Sequence, residues 1–420
     1  MMRPFLRLLG AAALFVVLLA TCSTPFISQP APRISGFVAE SSAGSPIRPT
    51  VQPSVTPIGG GEQAASAQAT PTIALPDAPA PLSANMAPAP AAPLSLAGVA
   101  AQMDAEMQAA VAGGTFSGVA LVARGDEIIF AKGYGMADAT NGAAITPATR
   151  FRLASVSKAI TAIAMMQLVA DGKIDLNASI CNYLRQCGAA WGSVLVRHLL
   201  THTSGIPNYT DFANFAEVEQ LPATPDQVID RFRGLPLGFA PGSAYQYCNS
   251  NYVLLGRIIE EVSVQYYPDF LRDRIFAPLR MNDSGYDSGN ATALNGTRGY
   301  VTPGVPSIAL DSSNLFAAGG LYSSAEDLLK LARALDNNTI LPAEQAAQMY
   351  APLYFNYGYG WKIEQRYGRR VIYHPGYMSG AATYFGRYPE DQVTVIILAN
   401  SESANVVGLA DRLAGMVFAP

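Results

Sequence analysis

The sequence predicts an α+β fold, with an antiparallel sheet flanked by helices and a mostly helical second lobe. Three observations indicate this class. Strand-like segments occur near both ends of the folded region. Ser155 to Ala170 is apolar on every face, which predicts a helix in the protein interior. The middle of the chain, about 174–312, mixes short helical patterns with loops and supplies the second lobe.

The individual elements follow in chain order. An amphipathic helix is predicted over 96–112, and a strand, a Gly-Asp turn and a second strand over 117–138. Gly172 is expected to stop the interior helix. Ser323 and Glu326 form a capping box that predicts a helix start. Strands over 357–376 and 381–402 and a closing helix over 405–418 complete the folded region.

The first 22 residues have the pattern of an export signal. Arg3 and Arg7 precede an apolar stretch, Leu8 to Ala20, that is short for a membrane span, and Cys22 follows it. This pattern resembles a bacterial lipoprotein signal, in which Cys22 is lipidated. An uncleaved anchor and an ordinary signal peptide are the alternatives. All three predict an extracytoplasmic protein, and the lipoprotein interpretation attaches it to the cell membrane.

Residues 23–93 are rich in Pro, Ala, Ser and Thr. Such a segment buries too little apolar surface to offset its ordering entropy, so it is predicted to be a disordered tether. The globular domain is therefore expected over 94–420. The chain carries 14% charged residues, a net charge of -4 and no basic block, which argues against nucleic acid as a partner. The sequence gives no oligomeric state.

The cysteines and histidines do not predict a metal site. Cys181 and Cys187 lie close in sequence and could form a disulfide in an exported protein, or remain two buried thiols. His198 and His202 are spaced i, i+4, but no third ligand is evident, and neither C-x-x-C nor H-E-x-x-H is present. We therefore expect no metal and no cofactor.

Ser155 and Lys158 begin the apolar helix and suggest a chemical role. The i, i+3 spacing places both side chains on one face, and a helix N-terminus favours a developing anion. Burial disfavours the ammonium form and lowers the pKa of a lysine, so a neutral amine could activate the serine as a general base. The motif alone is weak, because many lysines in helices simply extend their amine to solvent.

Five segments in order strengthen this interpretation, because the chain resembles the penicillin-recognising serine hydrolases. That group includes class C β-lactamases, D-alanyl-D-alanine carboxypeptidases and family VIII esterases. The resemblance covers nearly all of the folded region and implies a β-lactamase/transpeptidase-like fold. The segments are TRFRLASVSK (149–158), HLLTHTSGIP (198–207), YQYCNSNYVLLG (245–256), AAGGLYSSAEDLLKLA (317–332) and YHPGYMSG (373–380).

The resemblance implies a role for each site residue. Ser155 is the nucleophile that forms an acyl-enzyme, and Lys158 is the candidate base. Tyr247 would relay a proton to the leaving group, with its pKa lowered beside a lysine ammonium. Asn249 would bind the substrate carbonyl and hold Lys158. The remaining implied residues lie on the strand along the cleft: His374, Gly376, and Tyr377, whose backbone N–H would join that of Ser155 in an oxyanion hole.

The last motif departs from the Lys-Thr-Gly pattern of the group. His374 stands in place of lysine and Pro375 in place of threonine, which weakens recognition of a substrate carboxylate. An esterase or D,D-carboxypeptidase-like activity on a small acyl or peptide substrate is therefore preferred, with peptidoglycan fragments among the candidates. The alternatives are a non-hydrolysing penicillin-binding receptor and a β-lactamase. A Ser-His-Asp α/β-hydrolase is disfavoured, since no G-x-S-x-G elbow is present.

Two further residues have competing interpretations. Cys248 stands between Tyr247 and Asn249, where a buried small side chain is favoured over a reactive thiol. Trp361 is interpreted as packing at the start of a strand rather than as a platform for substrate.

Overall fold

A computed structural model describes residues 95–289, 296–308 and 310–419. The predicted signal and tether, including Cys22, lie outside the described residues. The strands are, in chain order, β1 (Gly118–Arg124), β2 (Glu127–Tyr134), β3 (Met136–Asp138), β4 (Ala143–Ala144), β5 (Phe151–Arg152), β6 (Gly285–Tyr286), β7 (Tyr300–Thr302), β8 (Val305–Pro306), β9 (Leu321–Ser323), β10 (Lys362–Arg366), β11 (Arg369–Met378), β12 (Ala381–Tyr388) and β13 (Val393–Ala399).

The α-helices lie before β1, between β5 and β6, between β9 and β10, and after β13. They are α1 (Leu96–Ala112), α2 (Ser157–Ala170), α3 (Val196–Leu200), α4 (Phe215–Val218), α5 (Pro225–Asp230), α6 (Asn249–Ser263), α7 (Tyr267–Leu271), α8 (Ala325–Asp336), α9 (Ala343–Met349) and α10 (Val406–Phe418).

The large sheet joins the two ends of the folded region. Its strand order is β10-β11-β12-β13-β1-β2, and each neighbouring pair is antiparallel. β1 pairs with β13, so the start and the end of the domain share the centre of the sheet. The α+β class predicted from the sequence is confirmed.

Helices cover both faces of this sheet, and successive residues of β13 show why the strand is apolar throughout. Val395 and Ile397 point into a core that includes residues of α1 and α10. Ile396 and Leu398 point into the larger core, which includes α2 and α8. Because side chains alternate between the faces of a sheet, a strand covered on both sides needs apolar residues at every position.

The interior helix begins two residues later than the sequence suggested. α2 starts at Ser157, and Ser155 lies in a 3₁₀ turn, Ala154–Val156, that leads into it. Residues Ser157 to Leu168 are all buried, as predicted from the continuous apolar pattern. Gly172 adopts a positive φ of 68° just after the helix, which confirms its role as the stop.

The capping box predicted for α8 is replaced by a single N-cap bond one residue later. Ser324, rather than Ser323, precedes the helix, and its hydroxyl accepts from the backbone N–H of Asp327. The hydroxyl of Ser323 instead lies 2.7 Å from that of Ser284 in a neighbouring loop. Adjacent serines allow either start, and the side-chain contact of Ser323 decides between them.

The predicted helical lobe contains α3 to α7 and long connecting loops, with short strands at its end. A disulfide joins Cys181 and Cys187, which resolves the alternative that the sequence left open. Of the helices in the described ranges, none is long and apolar enough to cross a membrane.

Candidate active site

The turn that carries Ser155 is strained and held in place from two sides. Ala154 has a φ of 48°, a left-handed conformation that costs a non-glycine residue roughly 1 kcal/mol or more. The preceding Leu153 donates its N–H to the carbonyl of Leu321 at 2.8 Å and accepts from the hydroxyl of Thr383 at 2.7 Å. These bonds from β9 and β12 fix the turn and leave Ser155 partly exposed.

Lys158 lies one turn further on and is completely buried. Its Nζ atom lies 3.2 Å from Oγ of Ser155, 2.7 Å from Oδ1 of Asn249 and 2.8 Å from the carbonyl oxygen of Ala318. The two carbonyl oxygens only accept hydrogen bonds, and a neutral amine has two hydrogens. When Lys158 is neutral, both hydrogens are therefore used, and its lone pair faces Ser155.

Burial lowers the pKa of Lys158 to about 7. No carboxylate accepts a hydrogen bond or forms an ion pair with this amine in the described part of the chain. The amine can therefore lose its proton near neutral pH and accept the proton of Ser155. This is the geometry that the sequence predicted for the pair.

Tyr247 lies directly against this pair. Its ring centroid is 4.8 Å from Nζ of Lys158, and its hydroxyl oxygen is inaccessible to solvent. Burial raises the pKa of the phenol, although Ser155 lies close enough to oppose this shift. The expected lowering of the Tyr247 pKa is therefore wrong, because the neighbouring lysine is itself close to neutral. The hydroxyl lacks a partner with hydrogen-bond geometry among the described residues and stays protonated.

Asn249 is the first residue of α6 and is anchored by the segment that follows α3. Its backbone N–H donates to Asn208 at 2.9 Å, and its side-chain N–H donates to the hydroxyl of Thr210 at 3.0 Å. These bonds orient the amide so that its oxygen faces Lys158. The predicted contact between Asn249 and Lys158 is thus present.

β11 passes so close to the turn of Ser155 that only glycine fits at position 376. A Cβ atom there would lie 2.4 Å from the carbonyl oxygen of Leu153, 2.4 Å from Oγ1 of Thr383 and 3.0 Å from the backbone nitrogen of Ser155. The backbone at Gly376 therefore runs beside the N–H of Ser155, and Tyr377 follows it on β11. Two such N–H groups can stabilise an oxyanion when both face it.

His374 is buried, contrary to the expectation of a partly protonated group facing substrate. Its Nε2 lies 3.0 Å from the hydroxyl of Tyr357, and its Nδ1 lies 2.6 Å from the carbonyl oxygen of Pro375. Burial, together with the charge of Lys158, lowers the pKa of His374 to about 3. A neutral ring replaces the cation expected at this position.

The structure adds residues that sequence reasoning missed. The carbonyl of Ala318 accepts from Lys158, and the hydroxyl of Tyr357 links His202 and His374. Ala318 acts through its backbone, which no residue pattern reveals. Tyr357 belongs to the stretch NYGYGW, and the tyrosines and glycines before its tryptophan are the one feature of the sequence that could have drawn attention to it.

The remaining candidates have structural roles. Cys248 is buried and donates to the carbonyl of Ile206, and burial raises the pKa of its thiol to about 11, as expected for a small packed side chain. His198 and His202 each accept a backbone N–H on Nδ1. Trp361 is fully buried against Phe385. The described ranges hold no cluster of three residues that could ligate a metal.

Comparison with known proteins agrees with this architecture. The family model for Beta-lactamase matches residues 100–417. Penicillin-binding protein 4* of Bacillus subtilis is 28% identical over 318 residues, which are 68% of this chain and 68% of that protein.

Two solved structures are similar in fold and sequence. The D-amino acid amidase of Ochrobactrum anthropi SV3, complexed with D-phenylalanine, gives a TM-score of 0.67 at 26% identity and covers 76% of this chain and 98% of that one. The penicillin-binding protein of Bacillus halodurans gives a TM-score of 0.65 at 27% identity over 75% and 98% of the two chains.

A strained serine turn, a buried lysine and a glycine-bearing edge of the cleft define a member of the serine hydrolase superfamily. The chain belongs to the beta-lactamase family, and the resemblance that its motifs indicated is confirmed.

Proposed function

We propose that this protein hydrolyses an ester or amide through an acyl-serine intermediate. The observation that carries the proposal is the buried amine of Lys158, whose two hydrogen-bond acceptors direct its lone pair to Ser155. The hydroxyl of Ser155 gives its proton to Lys158 as Oγ attacks the substrate carbonyl. The backbone N–H groups of Ser155 and Tyr377 are the proposed donors to the resulting oxyanion.

Tyr247 is proposed to return the proton to the leaving group. Its protonated phenol lies over the Lys158 amine and has an unused hydrogen-bonding capacity. The phenol gives its proton to the departing oxygen or nitrogen and recovers one from the Lys158 ammonium, which regenerates the neutral amine. Water then attacks the acyl-enzyme, with the same groups acting in reverse.

The substrate is proposed to be a small ester or amide, and the esterase type is favoured over the D,D-carboxypeptidase-like type, because substrates of the latter end in a free carboxylate. Among relatives, the neighbour from Ochrobactrum anthropi is a D-amino acid amidase, which favours small amides as candidates. The neutral His374 and the proline at position 375 disfavour a binding site for a free carboxylate beside the strand. Efficient turnover of penicillins is therefore not expected.

A paired assay tests the proposal. The purified protein and Ser155→Ala are incubated with a p-nitrophenyl ester and, separately, with a fluorescent penicillin. We expect ester turnover that Ser155→Ala abolishes, and slow penicillin labelling. Hydrolysis that survives Ser155→Ala contradicts the assignment of the nucleophile. A stable penicillin adduct without any ester turnover instead supports the receptor alternative.

The location of the protein is a separate proposal. We infer that the chain is exported and attached to the cell membrane by lipid on Cys22, since its first 22 residues have the lipoprotein pattern. The disulfide between Cys181 and Cys187 supports this inference, because such bonds persist mainly in oxidising compartments. Mass spectrometry of the mature N-terminus tests it, and a cysteine without lipid would contradict it.

A further inference from the structure

A continuous chain of hydrogen bonds connects the helix motif with the strand motif behind the site. The backbone N–H of Cys248 donates to Nδ1 of His202 at 3.1 Å. Nε2 of His202 lies 3.2 Å from the Tyr357 hydroxyl, which lies 3.0 Å from Nε2 of His374. Nδ1 of His374 lies 2.6 Å from the carbonyl oxygen of Pro375. The two rings and the phenol are buried.

The two ends of this chain determine where each proton lies. The N–H of Cys248 can only donate, so the neutral His202 ring carries its hydrogen on Nε2 and donates to Tyr357. The carbonyl of Pro375 can only accept, so His374 carries its hydrogen on Nδ1. Nε2 of His374 is then an acceptor, and the hydroxyl of Tyr357 donates to it. Every hydrogen bond in the chain has one direction.

The groups around these hydrogen bonds favour neutral rings for both His202 and His374. Lys158 and Lys362 lie close enough to disfavour a charge on His374, and Lys158 does the same for His202. The hydroxyl of the neighbouring Tyr252 donates a hydrogen bond to the carbonyl oxygen of Leu200 at 2.9 Å. Three other groups face the chain, namely Tyr245, Tyr247 and the buried thiol of Cys248. Each has a raised pKa and stays neutral at pH 7.

We propose that Tyr357 is a positioning residue that fixes His374 as the neutral Nδ1–H tautomer, and that this tautomer orients the Pro375–Gly376 peptide beside Ser155. The Tyr357 hydroxyl accepts from Nε2 of His202, so its own hydrogen is available to donate to Nε2 of His374, which favours this tautomer. The N–H on Nδ1 then holds the carbonyl of Pro375, and with it the strand on which the proposed oxyanion donor lies.

This arrangement also bears on the substrate class, and that step rests on the proposed function. Both nitrogens of His374 are occupied within the protein, so the ring has no hydrogen bond to offer to substrate. The strand therefore selects substrates through its backbone, which favours uncharged esters and amides over peptides that end in a free carboxylate.

NMR tests the tautomer without any assumption about activity. The chain has three histidines, so selective ¹⁵N-histidine labelling of the full protein gives three rings to assign. We expect His198 and His202 to carry the hydrogen on Nε2, since each accepts on Nδ1, and His374 to carry it on Nδ1. The His374 signals should not titrate between about pH 5.5 and 8. An Nε2–H or a doubly protonated His374 ring at pH 7 would overturn the proposal.

Tyr357→Phe tests the bridge itself, with Tyr359→Phe as a matched control. We expect Tyr357→Phe to move the His374 nitrogen signals toward mixed tautomers while those of His198 stay in place. Ester turnover should fall about tenfold in kcat, because the reacting backbone is less well positioned, with KM changed less than kcat. Unchanged His374 signals in a folded Tyr357→Phe protein would contradict the bridge. A confirmed tautomer in a protein without hydrolytic activity would instead count against the proposed function alone.

Discussion

The amine of Lys158 lies closer to the side-chain oxygen of Asn249, at 2.7 Å, than to the hydroxyl of Ser155, at 3.2 Å. The amide is a neutral acceptor, so it orients the amine without stabilising the ammonium as a carboxylate would. Its own orientation is fixed by the hydroxyl of Thr210. A neutral partner of this kind is consistent with a lysine that must lose its proton to act.

Asn249→Asp should therefore raise the pKa of Lys158. A carboxylate beside the amine favours its charged form by roughly 1–3 pKa units. The rise of kcat/KM with pH should move upward by a similar amount, so activity lost at pH 7 returns in part at higher pH. Steady-state kinetics from pH 6 to 10 measures this, with Thr210→Val as a control that loosens the amide without adding charge. An equal loss at every pH would contradict the electrostatic explanation.

Lys158 should also make stability depend on pH. Its folded pKa of about 7 lies below that of an unfolded lysine, so the unfolded chain binds more protons between those values, and stability rises with pH there. Lys158→Met removes this dependence. Between pH 7 and pH 9, the unfolding free energy of the wild type should rise by about 2 kcal/mol relative to that of Lys158→Met. Urea unfolding at each pH measures this difference, and a constant difference would indicate an unshifted lysine.

Gly376→Ala should impair both folding and activity. Its Cβ would lie 2.4 Å from two oxygens and 3.0 Å from the nitrogen of Ser155, so β11 must move away from the turn. Overpacking of this kind costs about 1–3 kcal/mol, and the displaced strand should lower kcat more than KM. Gly192→Ala, where the added atom meets nothing within 4 Å, is the matched control. Thermal melts and ester kinetics measure both variants. If Gly376→Ala were as stable and as active as Gly192→Ala, the predicted clash between β11 and the serine turn would be contradicted.

The turn at Phe355 and Asn356 should be more stable with glycine at position 355 than with alanine. Both residues have positive φ, 48° and 57°, and the N–H of Tyr357 closes the turn on the carbonyl of Tyr354 at 2.8 Å. Two-residue hairpin turns with positive φ favour glycine. Phe355→Gly should be more stable than Phe355→Ala by about 1 kcal/mol, since both lack the exposed ring but only glycine is unstrained. Chemical denaturation compares the pair, and an equal midpoint would contradict the strain.

The sequence predicted the elements whose burial is one-sided or complete. The apolar run of α2 and the strands at both ends of the domain required nothing beyond the periodicity of their side chains. The sequence wrongly placed Ser155 in the first turn of α2, because residue patterns do not show the positive φ of Ala154 that makes a separate turn there. Held by Leu321 and Thr383, which are distant in sequence, this turn depends on tertiary contacts.

At the site, the sequence predicted which residues meet and the lowered pKa of Lys158, but not the protonation of Tyr247 and His374. Ser155, Lys158, Tyr247 and Asn249 come together as expected. The sequence could not show that His374 is buried against Tyr357, since that depends on how the loop before β10 packs on β11. Protonation follows from burial, and burial is a property of the folded chain.

The pH dependence of kcat/KM for the ester tests the central claim most directly, because it reports the ionisation of the free enzyme. We predict a rising limb with a midpoint near pH 7, set by loss of the Lys158 proton, that moves upward in Asn249→Asp. Turnover that is flat with pH through neutrality, or that rises only near the pKa of an exposed lysine, would contradict a buried neutral amine as the base.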